Sequence, residues 1–127
     1  MALDVLWVGV GGGVGAITRY TLGLWIAERL GTSFPWGTWT INVTGSLAIG
    51  LLLTVLTERV VVDPAWRLLL VVGFLGGYTT FSSYTFEALT LARAGEWPFA
   101  LAYVLGSNVV GLLAVALGAV VAHLVWR

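Results

Sequence analysis

Apolar positions fall into four long runs, separated by short stretches of charged and turn residues. The first covers about residues 3–27 and ends at Glu28-Arg29, before the loop Gly31-Thr32-Ser33-Phe34-Pro35. The second covers about 37–57, and Glu58-Arg59 through Asp63-Pro64 forms the next interruption. The third spans about 65–93 and the fourth about 97–126. Runs of roughly 20 residues match the thickness of a bilayer core. They show no sustained alternation, so strands are disfavoured, and a helix satisfies its own backbone hydrogen bonds in lipid. The pattern predicts an all-α integral membrane fold with four transmembrane helices in one domain, residues 1–127.

The third run is too long for one simple span. As a helix it would measure about 43 Å, against a hydrocarbon core of about 30 Å. Gly76-Gly77 lies near its middle, where a helix is weakest. A broken third helix is therefore expected, with the break within residues 76–80. Unwound backbone at membrane depth must be buried in protein or line a cavity, and carbonyls at such breaks coordinate cations in transporters.

Composition agrees with lipid as the solvent: 59% of residues are hydrophobic, 9% are charged, and the mean hydropathy is +0.98. A soluble domain carries about 25% charged residues. Cysteine is absent, which excludes a disulfide framework and a cysteine metal site. Lysine is absent and net charge is zero, which argues against a nucleic-acid partner. The start, Met1 to Asp4, lacks the basic region of a secretory signal. Trp7, Trp66 and Trp126 mark one headgroup region, and Trp25, Trp36, Trp39 and Trp97 the other. Arg59, Arg67 and Arg127 oppose Arg29 and Arg93, a near balance that leaves orientation weakly set. Insertion both ways, and pairing as an antiparallel dimer, is the expectation.

The stretch Gly11-Gly12-Gly13-Val14-Gly15-Ala16 fits a dinucleotide fingerprint, but nothing in the chain supplies the α/β sheet this requires. Close helix packing through Gly9/Gly13, Gly11/Gly15 and Gly12/Ala16 is the preferred reading.

Function is sought among polar groups inside the spans. Thr38, Asn42 and Ser46 share a helical face, and a buried amide such as Asn42 needs several partners. Tyr103 and Ser107 repeat that spacing in the fourth run, with Asn108 alongside. Arg19 lies about 24 Å along the first helix from Leu3. It can snorkel, pair with an acid, or set the field at a pore mouth. Glu87 can partner a cation, gate a pathway or cap a polar cluster. His123 reads as a solvated end residue. No residue is assigned a catalytic role, and the chain reads as a non-enzyme. In "GFLGGYTTFSSYTFE" (residues 73–87), Phe81, Tyr84 and Thr85 share one face, while Ser82 with Phe86, and Thr80 with Ser83 and Glu87, form neighbouring stripes. Ring edges and hydroxyl donors suit a small anion better than a cation.

Three stretches, "GGGVGAITRY" (11–20), "GTWTINVTGS" (37–46) and "GFLGGYTTFSSYTFE", closely resemble the Fluc/CrcB fluoride channels, across all four spans and in order. The resemblance implies a passive, fluoride-selective export channel in an inner or plasma membrane, an antiparallel dimer with two pores. It also implies a sodium ion at the dimer centre, held by the backbone carbonyls of Gly76 and Thr79. The fluoride pathway it implies comprises Asn42, Phe81, Tyr84, Tyr103 and Ser107, with Thr80, Ser82 and Ser83 as hydroxyl candidates. The resemblance gives Arg19 a structural or mouth-lining place; Glu87 is grouped with it as structural or pore-mouth from its position in the third run alone. Tyr84 departs from the phenylalanine usual there, and a thinner polar track after Ser107 leaves a heterodimer with a homologue open. The alternative is a small dual-topology drug/proton antiporter, for which Glu87 is the sole carboxylate well inside a span.

Overall fold

The computed structural model describes residues 1–127 and is all-helical, without strands. Helix α1 runs Ala2–Leu30. It stops at Gly31, whose φ of 78° is a left-handed conformation that a side chain would oppose. Helix α2 covers Trp36–Thr54 and continues into the wider π-helical turns of Val55–Arg59. Helix α3 starts with Pro64–Arg67, widens to π-helical over Leu68–Leu75, and tightens again over Gly76–Tyr78. Asp63 caps its start by accepting from the Ala65 amide at 2.8 Å, with Pro64 in the first turn where its missing N–H costs nothing. Helix α4 (Phe81–Arg93) ends near Gly95, the second glycine with positive φ (79°). Helix α5 is Trp97–Val125.

Between α3 and α4 the backbone is extended at Thr79 (φ −81°, ψ 155°) and Thr80 (φ −148°, ψ 118°). Gly76 and Gly77 themselves are helical. The non-helical residues thus lie two to three positions beyond the glycine pair that sequence reasoning singled out. Packing explains the difference. A Cβ on Gly77 would run into the Gly12 carbonyl oxygen of α1, so the glycines serve close approach rather than unwinding. Gly11 and Gly15 face α3 in the same way, against the carbonyls of Leu69 and Phe74 respectively. Gly9 and Gly13 have nothing within 4 Å, so of the small-residue pairs expected there Gly9/Gly13 makes no such contact. A second seam joins α2 to α5, where Gly50 meets the Val115 carbonyl and Gly118 the Leu47 carbonyl.

The helices alternate in direction, so charged ends gather at two levels. His123, near the end of α5, lies 3.0 Å from Glu58 at the end of α2. At the opposite level the Phe34 ring meets Phe99 edge-on at 5.9 Å, and Trp36 and Trp39 pack nearby at 5.9 Å. Three segments are long and apolar enough to cross a membrane: Trp36–Arg59, Pro64–Arg93 and Trp97–Val125. Helix α1 has comparable length, 29 residues, but carries Asp4 and Arg19 within it. Only 17 of 127 residues are buried, and most large apolar side chains face outward, as a chain solvated by lipid requires.

Candidate functional site

The extended pair Thr79-Thr80 would leave backbone groups without helical partners, and one side chain meets that need. Asn42 of α2 donates from Nδ2 to the Thr80 carbonyl at 2.9 Å and accepts the Thr80 amide on Oδ1 at 2.8 Å. A carboxamide suits this role because it offers donor and acceptor side by side. Ser46 donates to the Asn42 carbonyl at 2.7 Å, one turn along the same helix. Because the Thr80 amide goes to Asn42, the Gly76 carbonyl receives no i+4 bond from it. Thr79 turns inward instead, with both its amide (3.0 Å) and its hydroxyl (2.8 Å) donating to the Leu75 carbonyl.

Arg19 approaches from α1. Its Nε donates to the Gly77 carbonyl at 3.0 Å, placing a cation at the C-terminal end of α3, where helix carbonyls concentrate negative potential. Of the roles open to Arg19, this contact is structural, but the residue also lines a cavity of about 520 Å³ with Thr38, Thr80, Ser83 and Glu87. Glu87 is tied on both oxygens: Thr38 donates to Oε1 at 2.7 Å, and Tyr103 to Oε2 at 3.3 Å. Thr80 also caps α4 by accepting the Ser83 amide at 3.2 Å, and its hydroxyl lies 3.4 Å from that of Ser82.

Aromatic rings form a row along α4 and α5. Phe81 and Tyr84 are 5.7 Å apart, and Tyr84 meets Tyr103 edge-on at 5.2 Å. Phe34, from the loop after α1, packs edge-on against Tyr103 at 5.5 Å. Tyr103 is fully buried and Tyr84 nearly so (8%), whereas Phe81 is 77% exposed on the single chain. Ser107, one turn beyond Tyr103, carries a buried hydroxyl oxygen with no hydrogen-bond partner. A second cavity, about 410 Å³, brings Asn42, Gly45, Gly76, Thr79 and Phe81 together on the other side of the break.

The structure therefore groups Arg19, Thr80, Ser83 and Glu87 around the first cavity, with Tyr103 bonded to Glu87 behind it, while Asn42 holds Thr80 from the second cavity. Phe81 and Ser82 lie on the exposed side, and Gly76 and Thr79 face the second cavity. Thr38 and Phe34 were not among the site residues picked from sequence. Thr38 was signalled by sharing a face with Asn42; Phe34 sits in a loop and gave no periodic signal. His123, bonded to Glu58 and to the Ala119 carbonyl (2.7 Å), stays at the chain's edge, remote from this cluster.

Helices long and apolar enough to cross a membrane, around a polar interior of hydroxyls and amides with Arg19 and Glu87 among them, define a multi-pass membrane protein. The family described as CrcB-like protein, Camphor Resistance (CrcB), matches residues 6–119. Proteins called fluoride-specific ion channel FluC in Acidobacterium capsulatum and Solibacter usitatus are each 52% identical over 121 residues, covering 95% of this chain and 97% and 99% of theirs. One of the same name in Koribacter versatilis is 53% identical over 112 residues, covering 88% of this chain and 89% of its own. The chain belongs to the CrcB family.

Proposed function

We propose that this protein is a passive, fluoride-selective channel that exports fluoride across the cell membrane and so relieves its toxicity. The observation that carries this reading is the extent of the family match. Residues 6–119, shared with a family whose relatives are called fluoride-specific ion channels, contain every polar group of the site from Arg19 to Ser107. The chemistry is consistent with it. Fluoride is small and strongly hydrated, so a pathway must replace its water with close donors that still release it. Hydroxyls of Thr80, Ser82, Ser83 and Ser107, the Asn42 amide and the ring edges of Phe81, Tyr84 and Tyr103 are neutral donors of that kind. A negative-inside potential drives an anion outward by about 2.3 kcal/mol per 100 mV, so no coupling ion is needed.

In this reading α1 also crosses the membrane, bringing the spans to four, and the working unit is an antiparallel dimer. Support comes from the balanced arginines, from the exposed Phe81 ring, and from the cavity beside it that a second copy would close. The partner is an identical chain or a homologue. A structural sodium ion fits the second cavity: the Gly76 carbonyl lacks its helical donor, the Thr79 carbonyl lies in extended backbone, and hard cations take oxygen ligands. Two carbonyls are too few for a full shell, which again points to a second copy. The antiporter alternative gains no support, because Glu87 is held on both oxygens by Thr38 and Tyr103.

Electrogenicity tests the channel reading. Fluoride-loaded liposomes should release fluoride only when a potassium ionophore relieves the charge left behind. Release without the ionophore, accompanied by proton uptake, would favour an exchanger instead.

A further inference from the structure

Tyr84 carries a hydroxyl inside a row of rings, and the orientation of its hydrogen follows from three distances. Asn108 Nδ2 lies 2.8 Å from the Tyr84 oxygen, and the Val104 carbonyl oxygen lies 3.5 Å from it. Asn108 Nδ2 is itself 2.8 Å from that carbonyl. A triangle with these sides has an angle of about 51° at the hydroxyl, far below the roughly tetrahedral or trigonal separation between a hydroxyl's hydrogen and its lone pairs. Asn108 and Val104 thus occupy the same flank of the hydroxyl and compete for it.

The amide nitrogen wins this competition. It is closer, it can only donate, and a donor there must meet a lone pair. The only acceptor the chain then offers the Tyr84 hydrogen is the long 3.5 Å contact to Val104, on the flank Asn108 already occupies. That leaves the hydrogen free to turn away toward a better acceptor. A second unmet polar atom lies next to Asn108 in sequence, on an adjoining stripe of the helix. Ser107, the neighbour of Asn108 on α5, has the chain's one buried side-chain polar atom without a partner. Buried groups left unpaired call for an explanation, and an anion reaching either hydroxyl would supply the acceptor it lacks.

We propose that Asn108 is a positioning residue for anion recognition: by taking the acceptor side of Tyr84, it turns that hydroxyl into a donor aimed at the permeating anion. Asn108 acts only through Tyr84 and does not touch the ion. Removing Asn108 lets the hydroxyl swing back to the Val104 carbonyl and withdraws the donor. This inference rests on the fluoride-channel reading above.

The test is a double-mutant cycle on the purified full chain in liposomes, reading the fluoride concentration that gives half-maximal efflux. Asn108→Leu should raise that concentration about tenfold or more, the effect of losing one hydrogen bond to a charged group. In the Tyr84→Phe background, where no hydroxyl remains to be aimed, the same change should shift it less than about twofold. Equal shifts in both backgrounds, or no shift in either, would overturn the proposal while leaving the channel reading intact. Absence of fluoride efflux from the unmodified protein would overturn both. Asn108→Ala carries the same expectation should the leucine variant fail to fold, because it too removes the amide.

Discussion

Replacing Asn42 by alanine tests how the opened backbone is held. The substitution removes two hydrogen bonds, of 2.9 and 2.8 Å, and leaves both the amide and the carbonyl of Thr80 without a partner. An unpaired buried group costs about 1–3 kcal/mol, while interhelical hydrogen bonds in membranes average about 0.6 kcal/mol. Thr80 is half-buried and lines a cavity, so water can reach part of the defect. The loss should therefore fall near about 1–3 kcal/mol in total. For a chain of this size, that is a fall in Tm of about 4–12 °C. Seven tryptophans make intrinsic fluorescence in detergent a direct readout of melting. Asn42→Asp keeps the acceptor for the Thr80 amide but turns a second oxygen toward the Thr80 carbonyl and adds charge inside the membrane. It should therefore destabilise at least as much as alanine and also suppress fluoride flux by repulsion. Ser46→Ala removes only a bond to the Asn42 carbonyl within the same helix and should leave Tm nearly unchanged. If Asn42→Ala melted with the unmodified protein, or no lower than Ser46→Ala, Asn42 would not be what secures the break.

Two further outcomes follow from packing and from the Glu87 contacts. Gly15→Ala forces a Cβ into the Phe74 carbonyl and should destabilise by about 1–3 kcal/mol. Gly13→Ala, with open space around it, should hold or slightly raise Tm, and equal losses for the two would show that the α1–α3 seam is misdescribed. Glu87→Ala strands the hydroxyls of Thr38 and Tyr103, the latter on a fully buried residue, and should lower stability by about 1–3 kcal/mol. Glu87→Gln retains an acceptor and should lose less; thermal melts showing the opposite order would contradict the bridging role.

Much of the architecture is legible in the residue pattern because lipid imposes a simple rule. Long apolar runs become helices, and charges, Pro35, Gly31 and Gly95 end them. The polar cluster was also visible, since Asn42, Tyr103 and Glu87 are conspicuous where apolar side chains are expected. What the pattern does not carry is which group each polar atom meets. Arg19 reaches the Gly77 carbonyl, 58 positions away, and Asn42 reaches Thr80, 38 positions away; neither follows from periodicity. The non-helical residues Thr79 and Thr80 fall within the expected 76–80 window but beyond the glycine pair, for a related reason. Glycine is weak in an isolated helix, but Gly76-Gly77 is held helical by close contact with α1, and the chain opens where Asn42 substitutes for the helical partner. The π-helical turns of Leu68–Leu75 left no sequence signal. Tyr84 showed as a hydroxyl among rings, yet its orientation required the position of Asn108.

A fluoride pathway along the rings and hydroxyls beyond the break is tested most directly by fluoride efflux from liposomes containing the unmodified protein or Phe81→Ile. Such a pathway gives rapid efflux from the unmodified protein, little chloride release under the same conditions, and loss of fluoride efflux in Phe81→Ile with the assembly state unchanged. Efflux no faster than from empty vesicles, or an undiminished rate in Phe81→Ile, would contradict it.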